Sequence, residues 1–250
     1  MALLSQKRSV PAFTLIDLLI VIVLIGLLVS ILLPALAKVR RSANDIASLA
    51  NLRSHGQVFS VYQTDWRDWF PQYAEPHADY SIVRDETVSV AFEYFVGVVW
   101  WPIALSLDYY DGNVVGNRVF LHPESEDSDF NNYILSSALM AEPAYWNRET
   151  RESGTGQWGG CRIDQIRFPS AKAQLVEWHP INTLPFATEG YTSDQPGVAF
   201  SLADGSAMRS HTRDLVAPYP FGDGTGFGHY QSIGIFGMHT VDGWIGRDVK

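Results

Sequence analysis

The sequence predicts an α+β protein: a long N-terminal, membrane-spanning helix whose second half packs on an antiparallel β-sheet head. Three observations predict it. Leu18 to Ala37 is a run of twenty residues without a charge, with Ser30 its single polar side chain. Apolar residues then recur at spacings of three and four as far as Tyr62, the period of a helix with one buried face. Beyond Trp66 the period falls to two and turn residues punctuate the chain, as in an antiparallel sheet.

The apolar run is long enough to cross a bilayer, which takes roughly 20 residues of helix. A carboxylate, Asp17, stands at its front edge, with Lys7 and Arg8 before it and Lys38, Arg40 and Arg41 behind. Two cations before and three after leave the orientation undecided by charge. Residues 38–65 continue the helix. Val39, Ala43, Ile46, Leu49 and Ala50 form an apolar stripe, with Val58, Val61 and Tyr62 further on. Gly56 weakens that stretch by about 1 kcal/mol relative to Ala. Pro71 lies just past its end.

In the head, residues 66–250, Val88 to Phe95 alternates and reads as a strand. Arg118 to Leu121 is a short strand candidate, Tyr133 to Leu139 is strand or helix, and Lys172 to Trp178 is a strand. Val198 to Ala203 and Ser206 to Ser210 flank Asp204-Gly205, a two-residue hairpin turn with positive φ at both positions. Residues 147–160 and 217–232 read as loops.

Composition narrows the function. The net charge is −9, against the clustered cations that nucleic acid demands. The 185 residues after the helix suffice for one domain with a sizeable core. The single cysteine, Cys161, excludes an intrachain disulfide and a cysteine metal cluster, and reads as a small buried apolar residue. The seven histidines show no helical metal spacing. No nucleophile elbow, phosphate loop or dinucleotide fingerprint is present, so no catalytic residue is assigned and the chain reads as a non-enzyme. Glu124, Glu126, Asp127 and Asp129 read as a solvated acidic loop. Asp223 and Asp242 are weak calcium candidates; otherwise no cofactor or metal is expected. Of the eight tryptophans, Trp100-Trp101 and Trp66/Trp69 are candidates for stacking on sugars or partner proteins, or for core packing.

The N-terminus admits three fates: a plain anchor; a signal peptide cut after Ala35-Leu36-Ala37; or a third that rests on resemblance. Ala12-Phe13-Thr14-Leu15-Ile16-Asp17 before an apolar helix resembles the prepilin motif of type IV pilins and type II secretion pseudopilins. The resemblance implies a leader peptide, residues 1–12, cut by a prepilin peptidase between Ala12 and Phe13, with N-methylation of Phe13. Loss of Lys7 and Arg8 takes the net charge from −9 to −11. Residues 13–37 would be the transmembrane and assembly helix, with Pro34 at the family's kink. The family usually has Gly before the cut and Glu where this chain has Asp17.

Ser48 to Arg53, Tyr62 with Asp65 to Pro71, Cys161 to Ile166 with Pro169-Ser170, and Phe200 to Gly205 are similar to a bacterial subfamily with a C-terminal His-x9-Asp-Gly element; Asp194 stands where its His would be. That subfamily often carries cysteines at the places held here by Ser48 and His122. The resemblance implies a structural subunit of a pilus or pseudopilus, assembled with like subunits at the bacterial inner membrane, single-pass, with an extracytoplasmic head. Asp17 would then pair with the new α-amine of its own or a neighbouring chain. The alternative is a membrane-anchored or secreted binding module, such as a carbohydrate-binding one.

Overall fold

The computed structural model describes residues 15–71, 75–77, 80–84, 89–112, 114, 117–125, 131–177, 197–219 and 238–250. Ala12 and Phe13, where cleavage is expected, and the calcium candidate Asp223 lie outside them, as do Glu126, Asp127, Asp129 and Asp194. The chain divides into two compact units, Met1–Asp45 and Ile46–Lys250. The layout is α+β.

Helix α1 runs from Leu15 to Asp65, with Pro34 inside it. In the first unit none of its described side chains is buried. In the second unit its buried face is Ser48, Leu52, His55, Gly56, Phe59, Tyr62 and Gln63. The expected apolar stripe holds in part: Tyr62 is buried and Leu49 packs against the core, whereas Ile46 and Val61 are 68% and 54% exposed. Ser48 and His55 hold places on this face because the head offers them hydrogen-bond partners: Glu177 and Tyr133 for Ser48, Val119 O and Tyr110 for His55. Gly56, expected as a weak point, marks the closest approach. A Cβ there would lie 2.6 Å from Ser201 Oγ and 2.9 Å from Gln174 Nε2.

Strands β1 (Tyr80–Arg84) and β2 (Ser89–Glu93) form an antiparallel pair in register Tyr80↔Glu93 to Arg84↔Ser89. The expected strand stops short of Phe95, because Tyr94–Val99 coils into a 3-10 turn. There the Tyr94 hydroxyl donates to Met140 O at 2.6 Å. Helix α2 (Trp101–Tyr109) follows. It has no legible amphipathic period, since Trp101, Pro102, Ile103, Leu105 and Ser106 are all buried. Arg118–Phe120 is a 3-10 helix rather than a strand. The Asn117 carboxamide accepts the Val119 N–H at 3.2 Å, a local bond that competes with strand pairing.

The head's main sheet has four antiparallel strands in sequential order: β3 (Tyr133–Leu135), β4 (Ala173–Glu177), β5 (Val198–Leu202) and β6 (Ala207–Ser210). Tyr133 to Leu139 therefore resolves into a strand followed by a 3-10 turn at Ser137–Leu139. β5 is buried along its whole length, so it is covered on both faces and lacks the alternation of a half-solvated strand. The register shifts between Ala173 and Leu175. This irregularity falls at Gln174, whose Nε2 donates to Ser201 Oγ at 2.9 Å beneath Gly56.

The β5–β6 hairpin is present with different turn chemistry. Leu202 N donates to Ser206 O at 2.7 Å, which leaves a three-residue loop. Only Gly205 has positive φ, 82°. Asp204 keeps negative φ and its carboxylate accepts Ser206 N at 2.9 Å, so one glycine suffices. The core gathers Leu52 and Phe59 of α1, Trp101 and Ile103 of α2, and Tyr133, Leu175, Val176 and Phe200 of the sheet.

Candidate functional site

The candidate assembly segment is the first part of α1. Leu15 to Leu36 present a nearly unbroken exposed aliphatic surface. By length and composition this helix can cross a membrane. A water-soluble protein rarely leaves so large an apolar surface uncovered, and a membrane anchor and a signal sequence both have this length and composition. The hydroxyl of Ser30, the single polar side chain between Leu18 and Ala37, is satisfied within the helix, as hydrocarbon requires. The Ser30 hydroxyl donates to Leu27 O at 2.7 Å. Pro34 has no N–H to give to the carbonyl of Ser30, four residues earlier. Gly26 meets no heavy atom of the chain within 4 Å of a built Cβ. Asp17 lies on the exposed surface of α1.

In the head, α1 is fastened to the sheet by a buried acid. Glu177, at the end of β4, accepts hydrogen bonds from Ser48 Oγ of α1 and from Arg209 Nη2 of β6, the latter at 2.8 Å. His122 Nε2 lies 3.4 Å from the same Glu177 oxygen that Ser48 bonds. Tyr133 OH lies 3.2 Å from Ser48 Oγ and accepts from Asn51 Nδ2 at 3.2 Å. One carboxylate thus ties together α1, the loop at His122 and two strands. In sequence Glu177 pairs only with His179, two residues on along one strand face and without a third ligand for a metal; nothing local points to Ser48, His122 or Arg209 as its partners.

A second centre closes the C-terminus. Lys172 is fully buried, 3.2 Å from Asp248, and donates to Thr240 Oγ1, whose hydroxyl donates on to Asp248. Ala173 N also donates to Asp248, at 2.9 Å. Burial pushes the Lys172 ammonium below its ordinary range, and the Asp248 charge opposes that shift. Cys161 is buried, as expected, and burial pushes its thiol well up.

His55 is stacked on Phe120 with ring centroids 5.3 Å apart. Its Nε2 lies 2.8 Å from Val119 O and its Nδ1 2.7 Å from Tyr110 OH. A carbonyl only accepts, so Nε2 carries the proton and Nδ1 accepts from Tyr110. Burial pushes its pKa down to about 4, and that of buried His239 to about 3.

Asp242 sits in a left-handed conformation, φ 60°, and accepts from Asn147 Nδ2 at 3.0 Å. Among the described residues no group of three or more His, Cys, Asp or Glu side chains is placed to hold a metal ion. The tryptophans divide. Trp101 is fully buried, while Trp66 and Trp69 are 55% and 39% exposed. A recess of about 550 Å³ opens between Tyr145, Arg151, Trp158 and Tyr219. The Arg151 guanidinium already stacks over Tyr145, 4.2 Å from the ring centre. No family model, curated protein or solved structure matches this chain.

Proposed function

We propose that the chain is a structural subunit of a type IV pilus-like or type II secretion pseudopilus filament. It is processed between Ala12 and Phe13 by a prepilin peptidase and assembled through the first part of α1. The observation that carries this reading is the division of α1. Leu18 to Ala37 is uncharged and uncovered, whereas from Ser48 onward the same helix supplies the head's core. A simple anchor does not require its helix to run on into the core of a folded domain, whereas a subunit that polymerises through that helix does.

Two details support it. Gly26 and Ser30 are four residues apart and small, which lets helices approach closely in a bilayer. Ser48 and His122 hold the places where the resembled subfamily often carries cysteines, and both reach the same oxygen of Glu177. A polar clasp then stands where that subfamily has a covalent one. Asp17 acts in register, pairing with the α-amine of Phe13 in its own or a neighbouring subunit.

The test is the mature N-terminus, read by mass spectrometry. N-methyl-Phe13 is the expected species. A chain beginning at Lys38 would make the apolar run a signal peptide, and an intact Met1 or Ala2 would make it a plain anchor; either overturns the proposal. Asp17→Ala is expected to be processed normally and to be lost from filaments.

A further inference from the structure

The turn that ends α1 holds two indoles in the open. Trp66 and Trp69 are 55% and 39% exposed, although neither is loosely placed. The Trp66 ring lies flat on Tyr62, with centroids 5.6 Å apart and planes 14° apart. The Tyr109 hydroxyl donates to Asp65, the residue before Trp66, at 3.0 Å. The backbone between the indoles is strained. Arg67 and Asp68 are successive non-glycine residues with positive φ, 55° and 70°. Such strain persists only where the surroundings over-determine it. Here Asp68 N donates to Gln63 O at 2.8 Å, Ile163 N to Asp68 O at 2.8 Å and Phe70 N to Cys161 O at 3.0 Å.

Two buried donors beside this turn have no partner among the described residues. They are Nε2 of Gln63, one turn before Trp66 on α1, and Nε of Arg162, which bridges Trp69. Unsatisfied buried donors are rare.

We infer that this turn is a binding platform for a neutral polysaccharide, with pyranose rings stacked on Trp66 and Trp69. A pyranose has apolar C–H faces and an edge of hydroxyls that both donate and accept. The platform matches both. Its indole faces are interleaved with the acceptors Asp65 and Asp68 and the donor Arg162, which holds Asp68 at 3.7 Å. A protein-docking surface has a charge-depleted centre, whereas here charges of both signs stand between the rings. Three carboxylates, Asp65, Asp68 and Asp164, against two guanidiniums, Arg67 and Arg162, leave the patch slightly acidic within a chain of net charge −9. That balance disfavours an anionic polymer. Rigid aromatic rings also lose little freedom on binding. The assignment is independent of the filament reading: a subunit or an anchored module can carry it.

The experiment uses the full chain in a phosphocholine detergent, which carries no sugar. Hexasaccharides of glucose, N-acetylglucosamine, mannose and galactose are titrated and followed by calorimetry and tryptophan fluorescence. At least one is expected to bind with a dissociation constant below about 1 mM. Trp66→Ala and Trp69→Ala are each expected to weaken it at least about tenfold. Trp66→Phe, which keeps a stacking face, is expected to retain most of the affinity. With Trp66 and Trp69 55% and 39% exposed, all three variants are expected to keep the parent's circular dichroism, and each variant's thermal midpoint is read beside its affinity. Absence of saturable binding by all four sugars up to about 10 mM overturns the inference. So does binding that survives the double alanine variant. Loss of self-association in that variant, without sugar binding, also overturns it and makes the platform a contact between copies.

Discussion

Gly56→Ala should destabilise the head, although alanine is the better helix former. The propensity gain on replacing glycine within α1 is about 1 kcal/mol. Against it, the new methyl would sit 2.6 Å from Ser201 Oγ and 2.9 Å from Gln174 Nε2. Both distances are shorter than a carbon tolerates, and both atoms belong to fully buried side chains bonded to each other. Moving them apart breaks a buried hydrogen bond, at about 1–3 kcal/mol, and forces repacking at about 1–3 kcal/mol more. Subtracting the propensity gain leaves a net loss of about 1–5 kcal/mol, centred near 3. The measurement is guanidinium unfolding of the full chain in micelles, followed by tryptophan fluorescence. The denaturation midpoint should fall without a change in slope. Combining Gly56→Ala with Ser201→Ala removes the closest clash, so the double variant should lose less than the sum of the two singles. An alanine variant at least as stable as the parent would refute the close approach of α1 to the sheet.

Glu177→Gln should cost about 2–4 kcal/mol in the same assay, because the amide removes the negative charge that pairs with Arg209 and leaves one accepting oxygen where the carboxylate has two; an unchanged midpoint would mean that the charge of Glu177 contributes nothing to the clasp. His55 and His239 set an acid limit. Their folded pKa values, about 4 and about 3, lie below the unfolded value of about 6.5, so between these limits only the unfolded chain binds the protons. Their stabilisation is therefore complete above about pH 6.5 and falls with pH by about 1.4 kcal/mol per pH unit for each histidine. His239→Asn should remove about half of that slope between pH 6 and 4, measured as unfolding free energy against pH. Gly26→Leu should leave the head's stability unchanged, since nothing of the chain lies near Gly26, and should reduce incorporation into filaments; normal incorporation would exclude Gly26 from the packing face.

Legibility followed the range of the interactions. The apolar run, its continuation as helix and the β5–β6 hairpin were readable because each depends on residues close together in sequence. The turn type was misread because Asp204 bonds to Ser206 and thereby avoids positive φ. Arg118–Phe120 was misread because alternating character says nothing of the Asn117 cap. Helix α2 had no period to read, since it is buried on nearly all sides. The packing face of α1 was legible only in part: Tyr62 and Leu49 lie on the core side, while Ile46 and Val61 do not. Ser48 and His55 gain their place on that face from partners in the head rather than from their own hydrophobicity.

The sequence by itself determined the apolar, uncharged segment, the acid at its edge and the helical continuation beyond it. These follow from hydropathy and period alone. Tertiary structure decided which face of that continuation is buried, that Glu177 joins Ser48 and His122, and that Trp66 and Trp69 remain exposed while Trp101 is enclosed. The physical reason is that burial and charge pairing depend on partners up to 129 residues apart, as Ser48 and Glu177 are, and no local pattern carries that distance.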